Sequence, residues 1–282
     1  MQKFGLTLGG GGARGLAHIG YLEVLDALRL SPVVVSGCSM GAVIGALYAA
    51  GTNGADIRIL FEECLPHRGG TLRSAGLRLR SLVRNLARLG PELRHGGLVN
   101  VDSLVDSLLA PLDGCTFADL PIPLVVVATD FWSGKGVVIE KGPLLPAIKA
   151  SMAVPGLIRP GEIDDQVLVD GGLTNVLPYG PLLDRCDITI AIDVSGERRP
   201  DGGQIPNSMD ASSGAIQILQ CALLREQLRH SAPDLLVRPA LRNIGLLDFA
   251  KADEIFVQSH PSWDDFPNRL ARLGLIMQQP AP

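Results

Sequence analysis

Apolar positions in the first fifty residues follow two rhythms, separated by glycine. Phe4-Gly5-Leu6-Thr7-Leu8 is a short strand running straight into Gly9-Gly10-Gly11-Gly12-Ala13-Arg14-Gly15. Beyond it Leu16, Ile19, Leu22, Leu25 and Leu28 recur every three residues, which marks one face of a helix. Val33-Val34-Val35 reads as a second strand, followed by the turn Gly37-Cys38-Ser39-Met40-Gly41 and a helical segment from Met40 to Ala50. Strand, helix, strand is a βαβ unit, so the first two strands are expected to run parallel.

The alternation continues downstream. Ile122 to Thr129 is an unbroken apolar run ending in Asp130, as expected of a buried parallel strand. Gly136 to Glu140 is a further strand and Leu144 to Met152 a short helix. Val167-Leu168-Val169 leads to Asp170-Gly171-Gly172, and Ile188 to Ile192 leads to Asp193, with a short helix over Pro178 to Leu183 between them. Gly196 to Gly214 has loop composition. Ala215 to His230 is helical, Leu235-Leu236-Val237 is a last strand, and Leu246 to Val257 and Asp265 to Leu273 are two closing helices. The pattern predicts one α/β domain with a core over about residues 4–195 and a helical C-terminal extension over about 211–275.

Composition alters this picture in three places. At 282 residues and 46% hydrophobic, the chain can bury one sizeable core, and a net charge of -4 gives no global reason to expect nucleic acid as a partner. Five scattered cysteines without a C-x-x-C pair read as reduced thiols of a cytosolic protein and offer no zinc site. Met1 to Leu8 lacks the apolar stretch of a signal peptide. Leu30 to Ala55 carries no charge but is interrupted by Pro32, Ser36, Ser39 and several glycines, so it reads as buried strand, turn and helix rather than a membrane span. Between Arg58 and Arg94, eight arginines face only Glu62, Glu63 and Glu92 and interleave with leucines. That basic amphipathic stretch, a lid over about 58–98, suits either an anionic lipid surface or a solvated lid helix.

The candidate chemistry gathers at the glycine turns. Gly37-x-Ser39-x-Gly41 between a strand and a helix is the context of a nucleophile elbow, with Ser39 exposed at a helix N-terminus. Gly10-x-Gly12-x-x-Gly15 also fits a dinucleotide fingerprint, but the second strand ends in Ser36-Gly37-Cys38-Ser39 where that fold needs an acidic residue. Two glycine turns at the ends of adjacent parallel strands instead set N–H donors beside a serine hydroxyl, as acyl transfer requires. The serine needs a base. His67, His95, His230 and His260 follow it, none in a glycine-flanked strand-end loop, and His18 reads as packed or capping. Asp130, Asp170 and Asp193 each close an apolar strand; Asp170 leads because Gly171 and Gly172 allow close backbone approach.

Four motifs in order resemble the patatin-like phospholipases, including bacterial relatives of the neuropathy target esterase catalytic domain. They are Gly10-Gly11-Gly12-Ala13-Arg14-Gly15, Gly37-Cys38-Ser39-Met40-Gly41, Ala150-Ser151-Met152-Ala153-Val154-Pro155 and Asp170-Gly171-Gly172. The resemblance spans roughly Phe4 to Asp193. It implies a parallel-rich central sheet with helices on both faces and a Ser–Asp dyad working without histidine, metal or cofactor. Ser39 would be the nucleophile, Asp170 the base and Gly10, Gly11 and Gly12 the oxyanion hole. Arg14 and Met40, beside these motifs, are the substrate-binding candidates, Arg14 suiting either a phosphate or a salt bridge. The implied substrate is a lipid or lysolipid, met in the cytoplasm or at the membrane surface. Transfer of the acyl group to an acceptor other than water, and a nucleotide-binding module using the glycine loop, are the alternatives. A membrane role for Arg78 to Arg88 predicts binding to anionic vesicles that weakens as salt rises; in a sedimentation assay, salt-independent or absent binding removes that role.

Overall fold

The computed structural model describes residues 2–65, 101–197, 205 and 208–277. The arginine-rich segment beyond Leu65, with His67 and His95, and residues 198–204, 206 and 207 of the loop expected over 196–214 lie outside the described residues. Eight strands form one sheet: β1 (Phe4–Leu8), β2 (Val34–Cys38), β3 (Leu124–Asp130), β4 (Gly136–Ile139), β5 (Gly161–Ile163), β6 (Gln166–Asp170), β7 (Ile188–Ile192) and β8 (Leu235–Val237). Their order is β5-β6-β3-β2-β1-β7-β8, with β4 also on β3. The pairs β3–β2, β2–β1, β1–β7 and β7–β8 are parallel, while β4, β5 and β6 join antiparallel.

Side chains alternate across this sheet with the period of two that strands impose. Leu6, Leu8, Val35, Leu124, Val126, Ile190 and Ile192 enter the main core. Their neighbours Val34, Val125 and Ala191 enter two thinner clusters on the other face. The main core is covered by α1 (His18–Ala27), α2 (Met40–Ala49), α3 (Gly54–Cys64), α4 (Val101–Leu109), α5 (Leu144–Ser151) and α7 (Ala252–Arg272). On the thinner face stand α6 (Ser208–His230), through Leu224, and the 176–182 segment. The expected architecture therefore holds, with helices on both faces in unequal numbers. Among the described residues no helix is long and apolar enough to cross a membrane.

The pairing of β3 sets the position of everything that follows. Val126 and Val127 pair with β2 on one edge and with β4 on the other. Ala128 and Thr129 still pair with β4, but β2 has ended at Cys38, and β6 pairs there instead. Because β4 occupies one edge throughout, β6 takes the edge that β2 vacates. The two strands run head-on in one slot, β2 ending at Cys38 opposite Val127 and β6 ending at Asp170 opposite Ala128. Asp170 thus arrives from a strand antiparallel to β3.

Other boundaries also differ from the sequence reading. Residues 58–64 of the arginine-rich stretch belong to α3, where Arg58 pairs with Glu23 on α1 at 2.6 Å and stacks over Phe256. That end of the expected lid is therefore part of the packed core. The expected last strand, Leu235-Leu236-Val237, is β8 with those same bounds. Helix α6 begins at Ser208 rather than Ala215. The two expected closing helices are one, α7, which continues through Pro261 and Pro267. Its buried residues Ile255, Ser259, Trp263, Phe266 and Leu270 form a single stripe, and burying that stripe offsets the backbone bonds the prolines forgo.

Trp263 is the anchor of that stripe. Its ring fills the space a Cβ at Gly20 would need, with ring carbon Cε2 2.2 Å from that position, and its Nε1 donates to Ala17 O at 3.0 Å. Trp263→Ala should therefore cost about 3–5 kcal/mol of stability in urea unfolding, the usual range for a truncated core aromatic. A loss under about 1 kcal/mol would mean that α7 packs without it.

Candidate active site

Ser39 sits between β2 and α2 with φ 53° and ψ -123°, a left-handed backbone that a residue with a Cβ adopts only under constraint. Two glycines supply that constraint by letting chains pass too closely for side chains. A Cβ at Gly37 would lie 2.5 Å from Gly41 O, and one at Gly41 would lie 2.1 Å from Leu8 O. The Ser39 carbonyl opens helix α2 by accepting from Ala42 N and Val43 N. Its own N–H donates to Ser151 Oγ at 2.9 Å, at the end of α5. Only 6% of Ser39 is exposed.

Asp170 is 4% exposed and held at three atoms. Its N–H donates to Ala153 O at 3.0 Å, its carbonyl accepts from Thr129 Oγ1 at 3.0 Å, and Oδ1 accepts from Gly172 N at 2.7 Å. The Ser39 hydroxyl lies close enough to favour the ionised carboxylate, yet it makes no bond of ordinary geometry with it: Oδ2 is buried without a hydrogen-bond partner. Burial raises the Asp170 pKa to about 6, outweighing the nearby Ser39 hydroxyl and the Gly172 N–H, both of which lower it. At neutral pH the carboxylate is thus ionised, desolvated and a far better proton acceptor than a surface aspartate.

The other two strand-end carboxylates are already committed. Asp130 accepts from Trp132 N and Ser133 Oγ, both at 3.0 Å, and caps the β3–β4 turn; those bonds hold its pKa below the ordinary value. Asp193 accepts from Arg238 Nε at 2.7 Å and from both the backbone N–H and the hydroxyl of Ser195. Of the described histidines, His230 and His260 are exposed beside Glu226 and Asp264. His18 is buried with Nε2 2.8 Å from Gly9 O, and burial pushes its pKa down to about 4, so the neutral ring donates to the glycine loop. None of the described histidines lines the cavity at Ser39.

The glycine loop passes Ser39 on its other side. Gly10 lines the cavity, but its N–H donates to Val176 O at 2.8 Å, which removes it from the three expected oxyanion donors. Among the described residues no backbone carbonyl accepts from Gly11 or Gly12. Gly12 has φ 57°, and a Cβ there would lie 2.2 Å from Leu246 O, the carbonyl that accepts from Ala13 N. Arg14 is 4% exposed; Nε donates to Gly11 O at 3.2 Å and Nη1 to Ile244 O at 3.4 Å, so it braces the loop as well as lining the cavity. Met40 is fully buried against Gly15, whose missing Cβ would sit 2.4 Å from Met40 Cγ.

These residues border a cavity of about 470 Å³. Its apolar lining comes from Val154, Pro155, Leu157, Leu173, Leu246 and Ile216 of α6, and its polar lining includes Arg14 and Ser212, Ser213, Gln217 and Gln220 of α6. A small apolar recess behind Ser39 is lined by Met40, Met152 and Phe249. The sequence reading missed Gln217, Gln220 and Leu246, which lie far downstream in segments without a motif. Ser151 and Ala153 lie inside a motif that the reading quoted without assigning a task.

Comparison with known proteins gives the chain's family and fold. Residues 6–183 match the family model described as patatin-like phospholipase. An uncharacterised NTE family protein of Mycobacterium tuberculosis is 36% identical over 207 residues, which cover 73% of this chain and 53% of the relative. Lysophospholipase NTE1 of Kluyveromyces lactis is 26% identical over 302 residues, covering 95% of this chain and 19% of that protein. The chain thus spans about half or less of the length of these relatives. The crystal structure of VipD from Legionella pneumophila shares the fold, with a TM-score of 0.51 at 16% identity, over 94% of this chain and 67% of that one. The match to the family model, carried by the glycine loop, the elbow at Ser39 and the Asp170-Gly171-Gly172 turn, makes this chain a member of the patatin-like phospholipase family.

Proposed function

We propose that the chain is a serine hydrolase of lipid acyl esters, of phospholipase A or lysophospholipase type, working through a Ser39–Asp170 dyad. The observation that carries this reading is the buried, unpartnered Oδ2 of Asp170 beside the hydroxyl of a serine strained at a strand-to-helix elbow. Asp170 takes the Ser39 proton as Oγ attacks the acyl carbonyl. The N–H groups of Gly11 and Gly12 receive the oxyanion, Gly10 contributing by fixing the loop. Asp170 then protonates the departing alkoxide, and water releases the acyl group. The mixed lining of the cavity supports an amphiphilic substrate, its chain along the apolar residues and its polar part toward Arg14 and the polar residues of α6. The lysophospholipase name of a relative that aligns with nearly all of this chain points the same way.

Labelling by a fluorophosphonate tests the dyad directly. Ser39→Ala should take no label, and Asp170→Asn should slow labelling by roughly a thousandfold or more, as loss of a catalytic group does. A double His230→Ala/His260→Ala change should leave the rate unaltered. Full labelling of the Ser39 variant would overturn the assignment. In the native chain the rate should rise about tenfold per pH unit below 6, where Asp170 is protonated, and level off by about pH 7.

The same raised pKa makes Asp170 costly to the fold. Between the unfolded value of 3.8 and the folded value of about 6 the folded chain keeps a proton that the unfolded chain has lost, so stability falls as pH rises through that window. Asp170→Asn, which cannot ionise, should therefore be more stable than the native chain above pH 6, by on the order of 2–3 kcal/mol, and nearly equal to it below pH 4. Urea midpoints of the two proteins at pH 4 and pH 7.5 measure this; equal midpoints at both would mean that Asp170 is not desolvated.

A further inference from the structure

We propose that Gln220 holds the water that releases the acyl group from Ser39, so that water rather than a second alcohol is the acceptor. This rests on the reading of Ser39 and Asp170 given above and extends it to the second half of the reaction. Gln217, nearly a turn earlier on α6, is buried with Nε2 donating to Ser195 O at 2.7 Å, which fixes this helix along the cavity. Gln220 lies three positions on, on the neighbouring part of the same helix face, and lines the cavity together with Ser39 and Asp170. Its amide reaches the space over Gly172. A Cβ at Gly172 would be 2.5 Å from Gln220 Nε2 and 2.9 Å from Asp170 Oδ1, so the amide packs directly over the Gly172 backbone beside the carboxylate, an approach that only a glycine permits.

Positioning a water in the cavity that Ser39, Asp170 and Gln220 share requires two groups. Asp170 Oδ1 already accepts from Gly172 N, so the carboxylate has Oδ2 for the moving proton and cannot alone fix the direction from which water attacks. The apolar part of the lining, Val154, Pro155, Leu157, Leu173 and Leu246, offers water no partner. An amide both donates and accepts, and from α6 it can hold a water whose proton points at Asp170. The water oxygen bonds to the acyl carbon as its proton passes to Asp170. The bond from that carbon to Ser39 Oγ then breaks, Oγ recovers the proton from Asp170, and a carboxylic acid leaves.

The test compares the native chain with Gln220→Leu, which keeps the bulk and removes the amide. With p-nitrophenyl butyrate in stopped flow, the variant should release one p-nitrophenol per enzyme in a burst and then turn over about tenfold to a hundredfold more slowly than the native chain. Quenched samples should carry a butyryl mass on the peptide containing Ser39, and added glycerol should capture a larger share of the acyl group. Fluorophosphonate labelling should stay within about twofold of native, because the first half of the reaction is untouched. Turnover within twofold of native, or labelling and turnover that fall together, would overturn the role of Gln220. A native chain that takes no label would instead remove the underlying reading, a result that the labelling arm reports separately.

Discussion

Two strands that run toward each other must share one edge of β3, and the proposed Ser39–Asp170 dyad lies where they meet. Strand β2 can extend no further than Cys38 because β6 occupies the same slot from the opposite direction. The chain therefore leaves the sheet sharply at both ends, at Ser39 into α2 and at Gly171 into a 3-10 turn. Both exits need glycine. At Gly171 a Cβ would lie 2.3 Å from Val127 O, much as Gly37 and Gly41 admit α2 and the end of β1 to the elbow. A reactive pair built this way needs no long loop to bring it together, since the hydrogen-bond register of the sheet sets its spacing.

Helix α5 secures the pair. Ser151 accepts from the backbone of Ser39 and Ala153 accepts from the backbone of Asp170, so one short segment sets the distance between the two residues. It must resist two unfavourable terms, the positive φ at Ser39 and the burial of an ionisable carboxylate at Asp170. Such terms persist only where the surroundings over-determine the geometry, and here β3, α2, α5 and the Gly172 turn all converge. The same burial that makes Asp170 costly raises its basicity, so the cost to stability and the gain in proton affinity come from one cause.

The family match, which ends at residue 183, contains Ser39 and Asp170, but part of their setting comes from beyond it. Leu246 fixes the glycine loop through Ala13, and Ser212, Ser213, Ile216, Gln217 and Gln220 of α6 line the cavity.

Much of this was legible in the sequence, and the exceptions share a cause. The βαβ unit, the elbow, the glycine loop and the apolar run before Asp170 follow from local periodicity and from glycines at turns, which depend only on neighbours in the chain. Sequence alone could not choose among Asp130, Asp170 and Asp193, because each closes an apolar run; only the partners they meet across the sheet distinguish a turn cap, an ion pair and an unpaired base. It likewise could not see that Gly10 gives its N–H to Val176, that α7 runs through two prolines because Trp263 seats on Gly20, or that Gln220 faces Asp170. Those facts rest on contacts between residues far apart in the chain, where strand pairing and close packing decide, and local propensity carries no record of them.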